Sequence, residues 1–152
     1  MSMVADENGD WVHVCPQFNE SISEIILPAS SDTSTSVKLP DISKEEQVFK
    51  GLVLGVHDYF AKTGHTQAVL GLSGGIDSAV TAAIAVEALG TENVLGIAMP
   101  SKYSSDHSVT DAEVLAANLG MKYLNVPIGT IFDGFQSTYS QILGAPISGL
   151  PE

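Results

Sequence analysis

Arginine is missing from all 152 residues. The six basic residues are the lysines 38, 44, 50, 62, 102 and 122, and they face 18 carboxylates for a formal charge of −12. Neutralising a nucleic-acid backbone needs a basic face. Six scattered lysines on so acidic a chain make none, which excludes nucleic acid and, by the same reasoning, anionic membrane surfaces. Without a guanidinium there is no bidentate fork for phosphate or carboxylate. A phosphate site here has to rest on backbone N–H groups, on a lysine, or on a metal held by carboxylates. Cysteine is nearly as scarce: Cys15 alone excludes an internal disulfide framework and a Cys-rich zinc site. No apolar run approaches the length of a membrane span. The acidic first ten residues lack the basic start and apolar run of a signal peptide. A cytoplasmic protein is the expectation.

What is present suits a folded domain. The apolar fraction is 44% and the charged fraction 16%, the latter below the roughly 25% usual for soluble domains. Residues 28–43, dense in Ser, Thr, Pro and Asp, read as a linker. Before it, Trp11 to Cys15 and Ile22 to Leu27 read as two short strands, too few to stand alone. After it, strands and helices alternate. Ser43 and Glu46 form a capping box for a helix over 44–62. Short apolar strands are expected at 67–72, 93–99 and 121–128. Helices are expected at 78–89, ended by Gly90, at 108–119, capped by Ser108 and ended by Gly120, and at 131–143. This order implies an α/β fold, a doubly wound parallel sheet with helices on both faces. Its ligand edge lies where the strands end.

The loop at the end of the first of these strands reads Gly71-Leu72-Ser73-Gly74-Gly75-Ile76-Asp77-Ser78. Paired glycines let a backbone approach an anion closely, and a helix N-terminus adds partial positive charge. Ser73 and Ser78 add hydroxyls. Asp77 beside a phosphate makes sense if it holds a divalent cation bound to that phosphate. A Walker loop fails for want of its lysine, and the GxGxxG fingerprint fails on spacing. The nucleophile elbow GxSxG is matched literally by residues 71–75 and would make Ser73 a hydrolase nucleophile. However, His107 is the only histidine after it, and it follows the next strand too soon. A tight structural turn is the plainest alternative. Cys15 reads as a buried strand cysteine, Trp11 as packing, and His13, His57 and His65 share no metal-ligand spacing.

Ser73 to Ser78 also resembles, at every position, the SGGxDS PP-loop of the N-type ATP pyrophosphatases. The flanking stretches Tyr59 to Gly64, Leu70 to Val80 and Ala88 to Gly90, with Met99-Pro100-Ser101-Lys102-Tyr103-Ser104-Ser105, Ser108 and Asp111-Ala112, narrow the resemblance to NAD synthetase over residues 48–143. Residues 10–27 resemble the last strands of a nitrilase-like amidase, as in the glutamine-dependent form. The resemblance implies a Rossmann-like domain of the adenine nucleotide alpha hydrolase type, present in part: 1–27 an amidase tail, 28–43 a linker, 44–152 the N-terminal part of the synthetase domain. It implies ATP and Mg²⁺ as cofactors, deamido-NAD as substrate, and glutamine or ammonia as nitrogen source. It further implies homo-oligomerisation through the synthetase domain. Residues Gly71 to Ser78, with Ser101 and Lys102, would bind ATP, and Asp77 the metal. The family more often has arginine where Lys102 stands. The family's domain is longer, so the chain alone is expected to be inactive. A nucleotide-binding module without ligase chemistry remains the alternative.

Overall fold

The computed structural model describes residues 2–26, 37 and 41–144, so most of the expected linker lies outside the described residues. The chain divides into two compact units, residues 1–55 and 56–152.

In the first unit, β1 (Met3–Ala5) pairs antiparallel with β2 (Trp11–Val14), with a register shift after Val4. Asp6 closes the connection: its carboxylate accepts from the N–H groups of Asn8 and Asp10, each at 2.9 Å. These bonds, that of Asp10 foremost, hold its pKa below the ordinary aspartate value. β1 was not expected, because three residues give no readable alternation. The strand expected at 22–27 is absent over its described part. Residues 22–26 have no regular structure, and Ile22 and Ile26 are 103% and 84% exposed. Apolar character without a partner strand does not make a ladder.

α1 (Lys44–Thr63) begins as the sequence indicates, with Ser43 Oγ accepting from the Glu46 N–H at 3.1 Å. The Glu46 carboxylate instead reaches forward to Lys50, 2.6 Å away at i+4, so half of the capping box forms. The side chains spaced for a core are not buried: Val48, Leu52 and Tyr59 are all exposed.

The second unit is the α/β unit expected. β3 (Ala68–Gly71), β4 (Val94–Ala98) and β5 (Lys122–Asn125) form a parallel sheet in that order. They are joined by α2 (Ile76–Leu89) and α3 (Asp106–Leu119) and followed by α4 (Gly129–Leu143). Strand order that follows chain order sends both right-handed crossovers to the same side. α2 and α3 accordingly share one sheet face and touch each other. Their core is Leu72, Ala82, Val94, Ala112, Ala116 and Met121. The three alanines let the helices come close, and Gly96 leaves room over the sheet for the Leu72 and Met121 side chains. A Cβ there would sit 2.6 Å from Leu72 Cδ1 and 2.8 Å from Met121 Cε. The face reached by Val69 and Leu124 is exposed, at 66% and 49%. Helices on both faces were expected; the two crossover helices cover one.

Boundaries shift by one to three residues. Gly90 and Gly120 stop α2 and α3 as expected, both at positive φ. The cap of α3 is Ser105 rather than Ser108: Ser105 Oγ accepts from the Ser108 N–H. No described helix is long and apolar enough to cross a membrane.

Tyr123 packs against this core with its hydroxyl buried and without a partner among the described residues. Burial first, and the Glu113 carboxylate second, raise its pKa above the usual phenol value. An unsatisfied buried hydroxyl costs about 1–3 kcal/mol. Tyr123→Phe is therefore expected to leave stability unchanged or raise it by about 1 kcal/mol, read from the urea midpoint. A loss beyond about 1 kcal/mol would mean the hydroxyl is bonded in solution.

Candidate functional site

The 71–78 loop lies between the carboxyl end of β3 and the start of α2, and its conformation is set by two residues. Gly74 has φ +78°, where side chains are disfavoured. It also lies against the α3 backbone: a Cβ on it would be 2.3 Å from the Ser108 carbonyl oxygen. Ser78 braces the loop from inside the helix. Its Oγ donates to the Gly75 carbonyl at 2.9 Å, accepts from the Ser73 N–H at 3.3 Å, and lies 3.1 Å from Ser73 Oγ. Ser73 Oγ also accepts from the Gly75 N–H at 3.2 Å.

Not every amide of the loop is open to a ligand. The Leu72 N–H is engaged with the Ile97 carbonyl at 2.9 Å, and the Leu72 side chain is buried. Leu72 therefore extends the sheet and offers a ligand neither. Gly75 is the helix N-cap and supplies no side-chain cap. The first-turn N–H groups of Ile76, Asp77 and Ser78 have no helical carbonyl to bond to. They stand uncapped at the positive end of the α2 dipole. Asp77 is exposed in that same first turn, so its carboxylate has no bulk to clear before meeting a ligand.

Next to the loop is a cleft of about 500 Å³, lined by Gly71, Leu72 and Ser73 on one side and by Met99, Tyr103, Ser105 and Ser108 on the other, among others. Its floor includes Ile97 and Ala98 from β4. The cleft therefore meets the N-terminus of α3 and the Gly71–Ser73 end of the loop, at the sheet edge where ligands are expected, while Gly75 and Ile76 at the start of α2 line the neighbouring hollow with Asp111 and Asn118 of α3. Residues from the segment 99–109 complete it. The resemblance puts the loop 100–108, with Tyr103, over the nucleotide; Met99 just after β4 and Val109 in α3 were not singled out as site residues, since apolar side chains carry no signal of their own until the sheet order places them.

Ser101 and Lys102 stand beside this cleft rather than on its lining. Ser101 shapes a turn, its Oγ accepting from the Tyr103 N–H at 3.2 Å while its own N–H donates to Ser104 Oγ at 3.0 Å. Lys102 Nζ lies 4.0 Å from Asp133 Oδ1 of α4. His107 is exposed.

The geometry speaks against a nucleophile elbow. In such an elbow the serine sits at the strained point of the turn. Here the left-handed residue is Gly74 and not Ser73, and the Ser73 hydroxyl is engaged by Ser78 and Gly75 rather than by an imidazole. Among the described residues no group of three or more His, Cys, Asp or Glu could hold a metal alone. A single carboxylate suits Mg²⁺ that arrives with a phosphate, since that ion commonly takes one or two carboxylates and keeps the rest of its shell for phosphate and water.

Comparison with known proteins gives one family. The sequence profile of NAD synthase matches residues 48–145. The chain is similar to a glutamine-dependent NAD(+) synthetase of Synechocystis sp., with 49% identity over 144 residues, covering 93% of this chain and 25% of that protein. It is similar to a glutamine-dependent NAD(+) synthetase of Thermotoga maritima, with 47% identity over 95 residues, covering 62% of this chain and 16% of that protein. Among solved structures it is similar to glutamine-dependent NAD+ synthetase from Acinetobacter baumannii in complex with adenosine diphosphate. That match has a TM-score of 0.69 and 38% identity, covering 74% of this chain and 22% of that one. The chain spans a quarter or less of the length of the two curated relatives.

Proposed function

The chain belongs to the NAD synthase family, and from this we propose that it forms the ATP-binding part of a glutamine-dependent NAD synthetase. The observation that carries the reading is the open N-terminus of α2 beneath the Ser73-Gly74-Gly75 turn, beside the cleft walled by residues 99–109. The ADP held by the Acinetobacter baumannii relative supports the nucleotide part of it. The match to the Synechocystis relative runs over 93% of the chain, which supports the view that residues 1–27 are the tail of an amidase domain supplying ammonia from glutamine. The intact protein is taken to be a cytoplasmic homo-oligomer.

The reaction proposed is amidation of deamido-NAD. A nicotinate carboxylate oxygen attacks the α-phosphorus of ATP and pyrophosphate leaves with its bonding electron pair. Ammonia then adds to the acyl-adenylate carbonyl, AMP departs, and the nitrogen gives up its extra proton. In such a reaction the protein positions the partners and stabilises charge. The first-turn amides of Ile76 to Ser78 bind the polyphosphate, while the hydroxyls of Ser73 and Ser78 fix the loop that presents them. The apolar floor of Ile97 and Ala98 keeps water from that side of the nucleotide. Asp77 is the residue that would hold Mg²⁺, which when bound offsets phosphate charge.

The test is pyrophosphate release by the intact protein with ATP in excess. Release is expected to require deamido-NAD and to be matched by NAD formed. Release that proceeds equally without deamido-NAD would leave a nucleotide hydrolase or a plain nucleotide-binding module as the better reading.

A further inference from the structure

Lys102 is the single basic residue between Lys62 and Lys122, and α4 holds it. Its Nζ lies 5.3 Å from the Tyr103 ring centroid and 5.5 Å from that of Phe132, as well as 4.0 Å from Asp133 Oδ1. The Tyr103 ring meets the Phe132 ring edge to face, with centroids 6.1 Å apart and planes at 88°. Tyr103 is at the same time a wall of the cleft. One turn of α4 thus grips both a cleft wall and the cation next to it in sequence.

Each of these contacts is weak on its own. The Lys102 and Asp133 side chains are 53% and 69% exposed, where ion pairs and cation–π contacts contribute little. Weak contacts exchange readily, and a polyphosphate carries several times the charge of one carboxylate. Resting on nucleotide binding by the 71–78 loop, we propose that Phe132 and Asp133 are positioning residues for that site. While the cleft is empty they hold Tyr103 and Lys102 on α4. When a nucleoside triphosphate binds, its phosphates take the Lys102 ammonium from Asp133, and Phe132 keeps the Tyr103 wall in place.

Calorimetric titration with Mg·ATP separates this competition from a plain charge effect. Asp133→Asn is expected to tighten binding about two- to fivefold, the ratio that an exposed ion pair represents. The same substitution in a Lys102→Met background is expected to change nothing. Equal tightening in both backgrounds, or none in either, overturns the competition. Phe132→Leu is expected to speed hydrogen exchange of the Tyr103 and Ser104 amides in the nucleotide-free protein. Unaltered exchange there overturns the role of Phe132. If the unsubstituted protein binds no Mg·ATP at all, the nucleotide reading itself fails and the competition falls with it. Measurable binding that ignores Asp133→Asn sinks the competition alone.

Discussion

Gly74→Ala is expected to lower stability by about 2–5 kcal/mol and to weaken Mg·ATP binding more than tenfold. Two separate effects add. A residue with a Cβ in the left-handed region costs about 1–2 kcal/mol, and Gly74 has φ +78°. The added methyl would also meet the Ser108 carbonyl oxygen at 2.3 Å, its Cα at 2.7 Å and its carbonyl carbon at 2.8 Å. All three are backbone atoms of α3, so no rotamer change relieves the contact, and overpacking of this kind costs about 1–3 kcal/mol. Against a total stability of about 5–15 kcal/mol for a folded domain, the loss is large enough to read from a urea midpoint. Affinity is expected to fall because the relief available is movement of the loop off α3, which displaces the open amides of the α2 first turn. Gly75→Ala is the control. Its φ of −88° is ordinary, and the nearest atom to an added Cβ is the rotatable Ser73 Oγ at 3.3 Å. It is expected to leave the midpoint near that of the parent chain. Equal effects at the two glycines would mean that the Gly74–Ser108 contact is not present in solution.

Asp77→Ala is expected to do the opposite: little to the fold, much to turnover. The side chain is exposed in the first turn of α2. Its one contribution to stability there is a favourable charge at the helix N-terminus, worth less than about 1 kcal/mol, and alanine is the better helix former. If Asp77 holds the metal that accompanies ATP, removing it takes away several kcal/mol of charge stabilisation as the phosphate bond breaks. That corresponds to a fall of about a hundredfold or more in pyrophosphate release by the intact protein. The residual rate is expected to rise with added Mg²⁺ to concentrations at which the parent enzyme is already saturated. Full activity in the substituted protein would remove Asp77 from the site.

What could be read from the sequence follows the range of the forces involved. β3, the Ser73 to Ser78 loop and α2 are legible because each is set locally: an apolar run, two glycines where the backbone turns, an alanine-rich helix stopped by Gly90. The parallel sheet is legible for the same reason. The capping serine of α3 was misassigned because residues 104, 105 and 108 are all serines, and only the bond from the Ser108 N–H selects Ser105. β1 is set by pairing with Trp11 to Val14 and not by its own three residues. The place of Lys102 was illegible for a different reason: Phe132 and Asp133 lie thirty positions on, and nothing in the PSKYSS stretch announces them. The amides are a mixed case. The resemblance assigns all of residues 71–78 to ATP, but only the geometry separates the uncapped first turn of α2 from Leu72, Ser73 and Gly75, whose N–H groups are engaged by the sheet or by the loop's own serines.

The seat of Gly74 on Ser108 bears on how a ligand comes and goes. With the loop seated on the backbone of the neighbouring helix, the side formed by Met99, Tyr103 and Ser104 is the one expected to give way as a ligand enters. The two sides then leave different kinetic marks. Substitutions on the pinned side act on how long a bound nucleotide stays, which is where most affinity differences within one interface arise. Substitutions at Tyr103, or at the α4 residues behind it, alter how often an encounter succeeds.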